Sequence, residues 1–418
     1  MQARPFTRDA PTAHLNHPSP AIGDRHPMTA PEILGQLGSL HHLLRDLLRE
    51  ERDDSIPVPG LGTLGWHLGR SVYRELYWLR EVVGEDADLT SRVRHIFRPG
   101  DLDLATRCAL LPPSEHLLHW AVQAQDEDLR RLASPGTLPD HPLLAGDRLA
   151  WYLLQEAAKD YELMLAVRLA RASGAGGGGY EVATPLAATA DPIGALVEVG
   201  QGHYREGSRQ DPFAYANELP PQGVELSSYR IAVEPVANAR YLAFIQAGGY
   251  RDEALWDQAG RAWLTASGAE APLHWRQDPA GHWYGLGLAG PGDLPPDQPV
   301  SGVNRHEAQA YANWVAAQGG AGTGAVLQHE YQWEVAARSG VIAGMGRVWE
   351  WCANPFHPYP DYAPFPGPGT DPFDAGLVSL RGACLHTQRC LRRASLRHWA
   401  NPAERRGFAG IRLVFPPG

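Results

Sequence analysis

The sequence predicts an α+β protein in two parts, a four-helix bundle followed by a mixed, loop-rich domain. Three observations carry this expectation. Apolar residues recur at three- and four-residue spacing through the first 172 positions. Five glycines then fall between Gly174 and Gly179. Beyond them Pro, Gly and Trp rise and the long helical stripes stop. An apolar stripe at helical spacing must be covered, and four such helices cover one another most simply as a bundle.

Residues 1–28, rich in Pro, His, Ala and Asp and without periodicity, read as a disordered extension. Ile33, Leu37, Leu40, Leu44, Leu47 and Leu48 then mark one face of a helix. A second stripe runs Leu64, Leu68, Val72, Leu76, Leu79 and Val83. The third follows Pro112-Pro113, with Ser114 as its expected cap and Leu117, Leu118, Val122 and Leu129 on its inner face. The fourth spans about Arg148 to Arg171. The expected bundle is 29–172, with a Gly-rich flexible linker over 173–192 and a second domain over 193–418. In that domain Ala195–Val199 and Val224–Leu226 read as strands, and Asn238–Ala247, His306–Ala317 and Glu330–Ala337 as helices.

Composition narrows the function. Among 418 residues, 37 Lys and Arg stand against 47 Asp and Glu, for a net charge of −10. That balance argues against a nucleic-acid or anionic-membrane surface. No apolar run reaches membrane-spanning length, and the first residues lack the apolar core of a secretory signal, so a cytoplasmic protein is expected. Four cysteines in this length are too few for a disulfide framework. Lys159 is the only lysine in the chain.

The second half contains, in order, FAYANELPPQGVEL, PVANARYLAFIQAGGY, ALWDQAGRAWL, LQHEYQWEVAA, GRVWEWCANPFHPYPDY, SLRGAC and RRGFAGIRL. These motifs resemble the formylglycine-generating-enzyme fold. Together with WHLGRSVYRELYWLR and LLQEAAKDYELML in the first half, they resemble the form fused behind a DinB-like helical bundle. That fusion marks the ergothioneine-type sulfoxide synthases and the selenoneine synthases. The resemblance implies one non-heme Fe(II) on three histidines, one from a helical W-x-L-G-H and two from H-E-x-x-H. It also implies oxygen-dependent coupling of a sulfur or selenium donor to hercynine, a trimethylated histidine betaine.

At the ligand positions this chain departs from the pattern. Arg70 ends Trp66-His67-Leu68-Gly69-Arg70, and Gln155 and Lys159 bound Gln155-Glu156-Ala157-Ala158-Lys159. Arginine stays protonated, protonated lysine has no lone pair, and glutamine is a weak oxygen donor. No metal is therefore expected at the family's Fe(II) site. The two fixed cations would instead be bridged to Glu156, Asp160 or Glu162. His67 reads as a hydrogen-bonded structural histidine, not a substitute ligand.

By resemblance, the segment Leu396–Pro402 cradles the betaine. Arg397, His398, Trp399 and Phe356 are the expected ligand contacts, with Arg397 facing a ligand carboxylate. Tyr359 and Tyr362 could join Phe356 and Trp399 in stacking on a quaternary ammonium, or all four could simply fill a strand-poor core. Lys159, Tyr359 and Tyr362 are the catalytic candidates, Lys159 as a base or imine-forming amine if desolvated. Cys384 and Cys390 do not have the spacing of a copper-binding pair. Three readings stand open: an oxygenase of the family, a metal-free binding protein or partner of an active paralogue, and iron-independent catalysis through Lys159.

Overall fold

The structure, a computed structural model, describes residues 28–98, 100–175, 178–209, 213–365, 371–373, 376–405 and 407–418. The extension expected over 1–28 lies, apart from Met28, outside the described residues.

Helix α1 (Ala30–Glu50) starts at a capping box in which Thr29 and Glu32 satisfy each other's backbone donors. Helix α2 (Leu64–Leu76) is capped by Thr63, whose side chain accepts from the Trp66 amide at 3.1 Å, and it continues as a π-helical segment, Tyr77–Val83. Two short helices follow that the periodicity did not foretell, α3 (Asp88–Phe97) and α4 (Leu104–Ala109). In α5 (Ser114–Leu132) Ser114 is the first helical residue, not the cap; Pro113 takes that place and makes no side-chain bond. Helix α6 (Arg148–Ala175) runs past Arg171 into the expected linker. The four long helices pack pairwise, α1 and α2 each against α5 and α6. Gly69 allows Phe97 of α3 to lie on α2, since a Cβ there would meet the ring at 2.5 Å.

Beyond the bundle come β1 (Leu196–Val199), β2 (Gly202–Glu206), β3 (Gln222–Leu226) and β4 (Tyr229–Ala232). Helices α7 (Asn238–Gln246) and α8 (Gln258–Ser267) precede β5 (Trp275–Gln277), β6 (Trp283–Gly287) and β7 (Gly290–Asp293). Then follow α9 (Arg305–Ala317), β8 (Val326–Leu327), α10 (Glu330–Arg338), β9 (Trp349–Pro355), β10 (Val378–Arg381), β11 (His398–Ala400), β12 (Ala409–Gly410) and β13 (Leu413–Phe415). The strands form two four-stranded sheets, β1-β4-β13-β8 and β11-β10-β9-β12, with a β2-β3 hairpin and a β5-β6-β7 meander. The fold is α+β. Arg412, fully buried, reaches Glu350 at 2.7 and 2.8 Å and three backbone carbonyls. Such charge-assisted pairs hold together a half whose strands are too short to do so alone.

The segment between the halves is tied down where it is described. Asp293 accepts from the Tyr180 hydroxyl and the Ala183 and Thr184 amides, and Asp278 from the Val182 amide. No helix among the described residues is long and apolar enough to cross a membrane.

Candidate functional site

The junction of the two halves is built on α2 and α6. Residues 155 and 159 lie one turn apart on α6, so they share a face, while 156 and 160 share the next. On that second face Asp160, fully buried, receives Arg70 and, at 2.6 Å, Arg74. Arg74 also lies 3.4 Å from Glu156, and Lys159 lies 3.1 Å from the other oxygen of Glu156. The result is a chain of alternating charge: Arg70, Asp160, Arg74, Glu156, Lys159.

Electrostatics follow the partners. Burial opposes ionisation of Asp160, but Arg70 and Arg74 override it and hold the carboxyl at about 2. Glu156 is likewise lowered against its burial, by Lys159 and Arg74. Arg74 is raised by the same two carboxylates despite its own burial. His67 is held neutral, at about 3, by burial and then by Arg70. Its Nε2 lies 2.7 Å from the Leu61 carbonyl and its Nδ1 accepts from Arg70 at 3.4 Å, which leaves it no free nitrogen.

From the second half, the segment at 213–216 closes on α6. Gln155 donates to the Phe213 carbonyl at 2.9 Å and to Trp151 at 3.2 Å, while its buried Oε1 has no partner. Beside it lies a cavity of about 20 Å³ lined by Arg148, Tyr152, Tyr215 and Phe365, room for a single water. Tyr215 donates to Glu156 at 3.0 Å, and its ring carries the Lys159 ammonium 3.7 Å from the centroid. Trp399 flanks the same ammonium at 5.6 Å. The phenol of Tyr215 is pushed well up by burial and by Glu156.

Of the expected site residues, the structure brings Gln155, Lys159 and Trp399 to the segment at 213–215 and joins Arg70 to Lys159 through the ion-pair chain. Glu162 stands apart from the cations: it accepts from Trp349 Nε1 and Thr387 Oγ1, both at 2.6 Å, and fastens the second half to α6. His398 packs on Trp349 at 4.7 Å and is held at about 3 by burial and then by Lys159. Arg397 is taken up by groups of the second half. It is bound twice to Glu330 at 2.9 Å and to the carbonyls of Asn217 and His357 at 2.7 Å. Phe356 and Tyr359 do stack on a cation, but it is Arg397, at 4.7 and 4.2 Å. Tyr362 donates to Asp371 at 2.9 Å. Cys384 is buried against Thr387, and Cys390 is partly buried. Sequence reasoning passed over Arg74 and Tyr215, although both lie inside motifs it quoted.

Fe(II), which the resemblance implies, does not fit the donors at 70, 155 and 159. A guanidinium and an ammonium have no lone pair to give, each is already paired within the chain, and one amide oxygen is a weak ligand. Among the described residues no three His, Cys, Asp or Glu side chains gather so as to hold a metal ion.

Comparison with known proteins adds the following. The family model described as the sulfatase-modifying factor enzyme 1-like domain matches residues 182–345. A hercynine oxygenase of Mycolicibacterium thermoresistibile is 31% identical over 249 residues, 49% of this chain and 54% of that protein. The match thus spans about half the length of that relative. A hercynine oxygenase of Mycolicibacterium smegmatis is 27% identical over 415 residues, 85% of this chain and 92% of its own length. A formylglycine-generating enzyme of Thermomonospora curvata is 31% identical over 160 residues, 35% of this chain and 49% of that one.

Proposed function

We propose that the chain is an iron-free relative of the hercynine oxygenases it resembles, carrying a formylglycine-generating-enzyme-like domain, and that it binds a small organic cation and does not activate oxygen. One observation carries this reading: Arg70 and Lys159, which by the motif resemblance stand where the family has ligand histidines, are cations already paired with Asp160 and Glu156. Restoring a metal there would require breaking both pairs.

The ligand class is suggested by the similarity to hercynine oxygenases and by the seat around Lys159. Tyr215, Trp399 and Glu156 together offer two aromatic faces and a carboxylate, the chemistry that recognises an ammonium group. Lys159 fills that seat itself, so a betaine such as hercynine, or a thiol or selenol donor, would have to displace it. Partnership with an active paralogue is compatible with the same arrangement.

The test is oxygen uptake by the full chain supplied with Fe(II), hercynine and a thiol, together with thermal stabilisation by hercynine in the presence of a chelator. The expected result is uptake no faster than without protein, and a melting temperature that rises with hercynine, as for any ligand that binds only the native state. Hercynine-dependent oxygen uptake would refute the proposal.

A second reading, catalysis through Lys159, draws only on the partial exposure of that side chain, 26%, which leaves the amine open to a carbonyl compound. It requires that borohydride trap a carbonyl compound on Lys159 and that Lys159→Met abolish a turnover that survives chelators.

A further inference from the structure

Inside the bundle a different set of polar groups meets, and nothing at the junction uses it. His41 of α1 is fully buried, with Nε2 2.9 Å from Oε1 of Glu75 on α2, itself buried. Its Nδ1 and the second oxygen of Glu75 have no partner. On α5, Gln125 is fully buried with neither amide atom partnered, and one turn later Asp128, 1% exposed, has both carboxylate oxygens unpartnered. Buried polar groups are nearly always hydrogen-bonded, so a cluster this incomplete calls for an explanation.

The charged groups facing Asp128 are Glu75 from α2, Arg80 from the π-helical segment, and Glu127 and Arg131 from α5 itself. Arg80 stays 3.7 Å away, with its better contact to Glu127 at 3.1 Å. From α1, His41 is taken up by Glu75, and Arg45 leans toward Asp126 at 3.6 Å. No cation is therefore closely seated on the Asp128 carboxylate, while a second carboxylate faces it.

We infer that this cluster is a proton-linked switch: Asp128 holds a proton in the closed bundle and releases it to solvent as pH rises, leaving two carboxylates that push α5 away from α1 and α2. Protonated, Asp128 is a neutral acid facing Glu75. Ionised, it places a second negative charge in an apolar core and draws water in. Burial, and next the charge of Glu75, push this carboxyl up to about 7, which puts the transition near neutrality.

The sign is set by linkage. The folded chain keeps a proton that the unfolded chain has lost, so this stability is fully present below the ordinary aspartate range, falls as pH rises and is gone above about 7. The experiment is urea unfolding of the full chain, followed by its helical signal from about pH 4 to about pH 9, for the native protein and Asp128→Asn, a neutral mimic of the protonated acid. The unfolding constant of the native protein, divided by that of the variant, should climb by about tenfold per pH unit to about pH 7 and then level off. A ratio that does not change with pH overturns the inference. Should Asp128→Asn fail to fold, Glu75→Gln decides. Removing the neighbouring charge should make the native decline level off at lower pH, and an unchanged curve overturns the inference equally.

Discussion

Asp160 and Asp128 sit in one bundle, on α6 and α5, both shut away from water, and they titrate in opposite directions. Asp160 lies between two guanidiniums and stays ionised down to about 2; Asp128 has no close partner and is pushed up to about 7. Depth is the same and company differs. At the junction each charge from Arg70 to Lys159 faces one of opposite sign, in a chain that ends at the aromatic seat of Lys159. The interior keeps a mismatch. A paired array of this kind locks a geometry, whereas an unpaired one makes the geometry depend on protons.

The sharpest way to break the contrast is Asp160→Ala. It strands Arg70 and Arg74 with no carboxylate between them, and loss of one partner of a buried pair typically costs about 3–5 kcal/mol. The urea midpoint of the helical signal should fall accordingly. A loss below about 1 kcal/mol would mean that the chain of charges is ornamental.

Acid titration comes next. A depressed carboxyl contributes stability above its unfolded value and loses it as pH falls through the folded one. The Asp160 contribution, about 2 kcal/mol by linkage, should therefore persist down to about pH 4 and vanish by about pH 2. Asp160→Asn should remove that acid limb and leave the decline between about pH 4 and 7, assigned to Asp128, in place. Loss of both limbs together would show that the two aspartates are not independent.

Smallest is Lys159→Met. A half-open pair with Glu156 contributes about 0.2–1 kcal/mol, so stability should barely move. The emptied seat on Tyr215 and Trp399 should bind tetramethylammonium more tightly than the native protein does, as read by quenching of tryptophan fluorescence. Equal binding would separate the seat from cation recognition.

How much of this was legible beforehand depends on distance along the chain. The stripes that became α1, α2, α5 and α6 were plain, because helical period is a local property. Helix α3 buries only Thr90, Ile96 and Phe97, α4 only Cys108 and α8 only Gly260, too few apolar positions to mark a stripe. Arg70, Gln155 and Lys159 could be singled out from motif context, and so could the carboxylates Glu156 and Asp160 that hold two of them. What could not be read was which cation an aromatic group serves. Phe356 and Tyr359 turned out to stack on Arg397, some 40 positions away, because Glu330 from α10 and a carbonyl from His357 seat that guanidinium there. The interior cluster was invisible for the same reason. His41, Glu75 and Asp128 come from three helices, and an apolar stripe does not reveal polar residues at its margin.

The claim that fixed cations stand where the family holds iron is tested most directly by metal content. The native chain and the variant carrying Arg70→His, Gln155→His and Lys159→His are each loaded anaerobically with Fe(II), desalted and analysed. The account predicts iron far below stoichiometric in the native chain and close to stoichiometric in the variant. Stoichiometric iron retained by the native chain would contradict it.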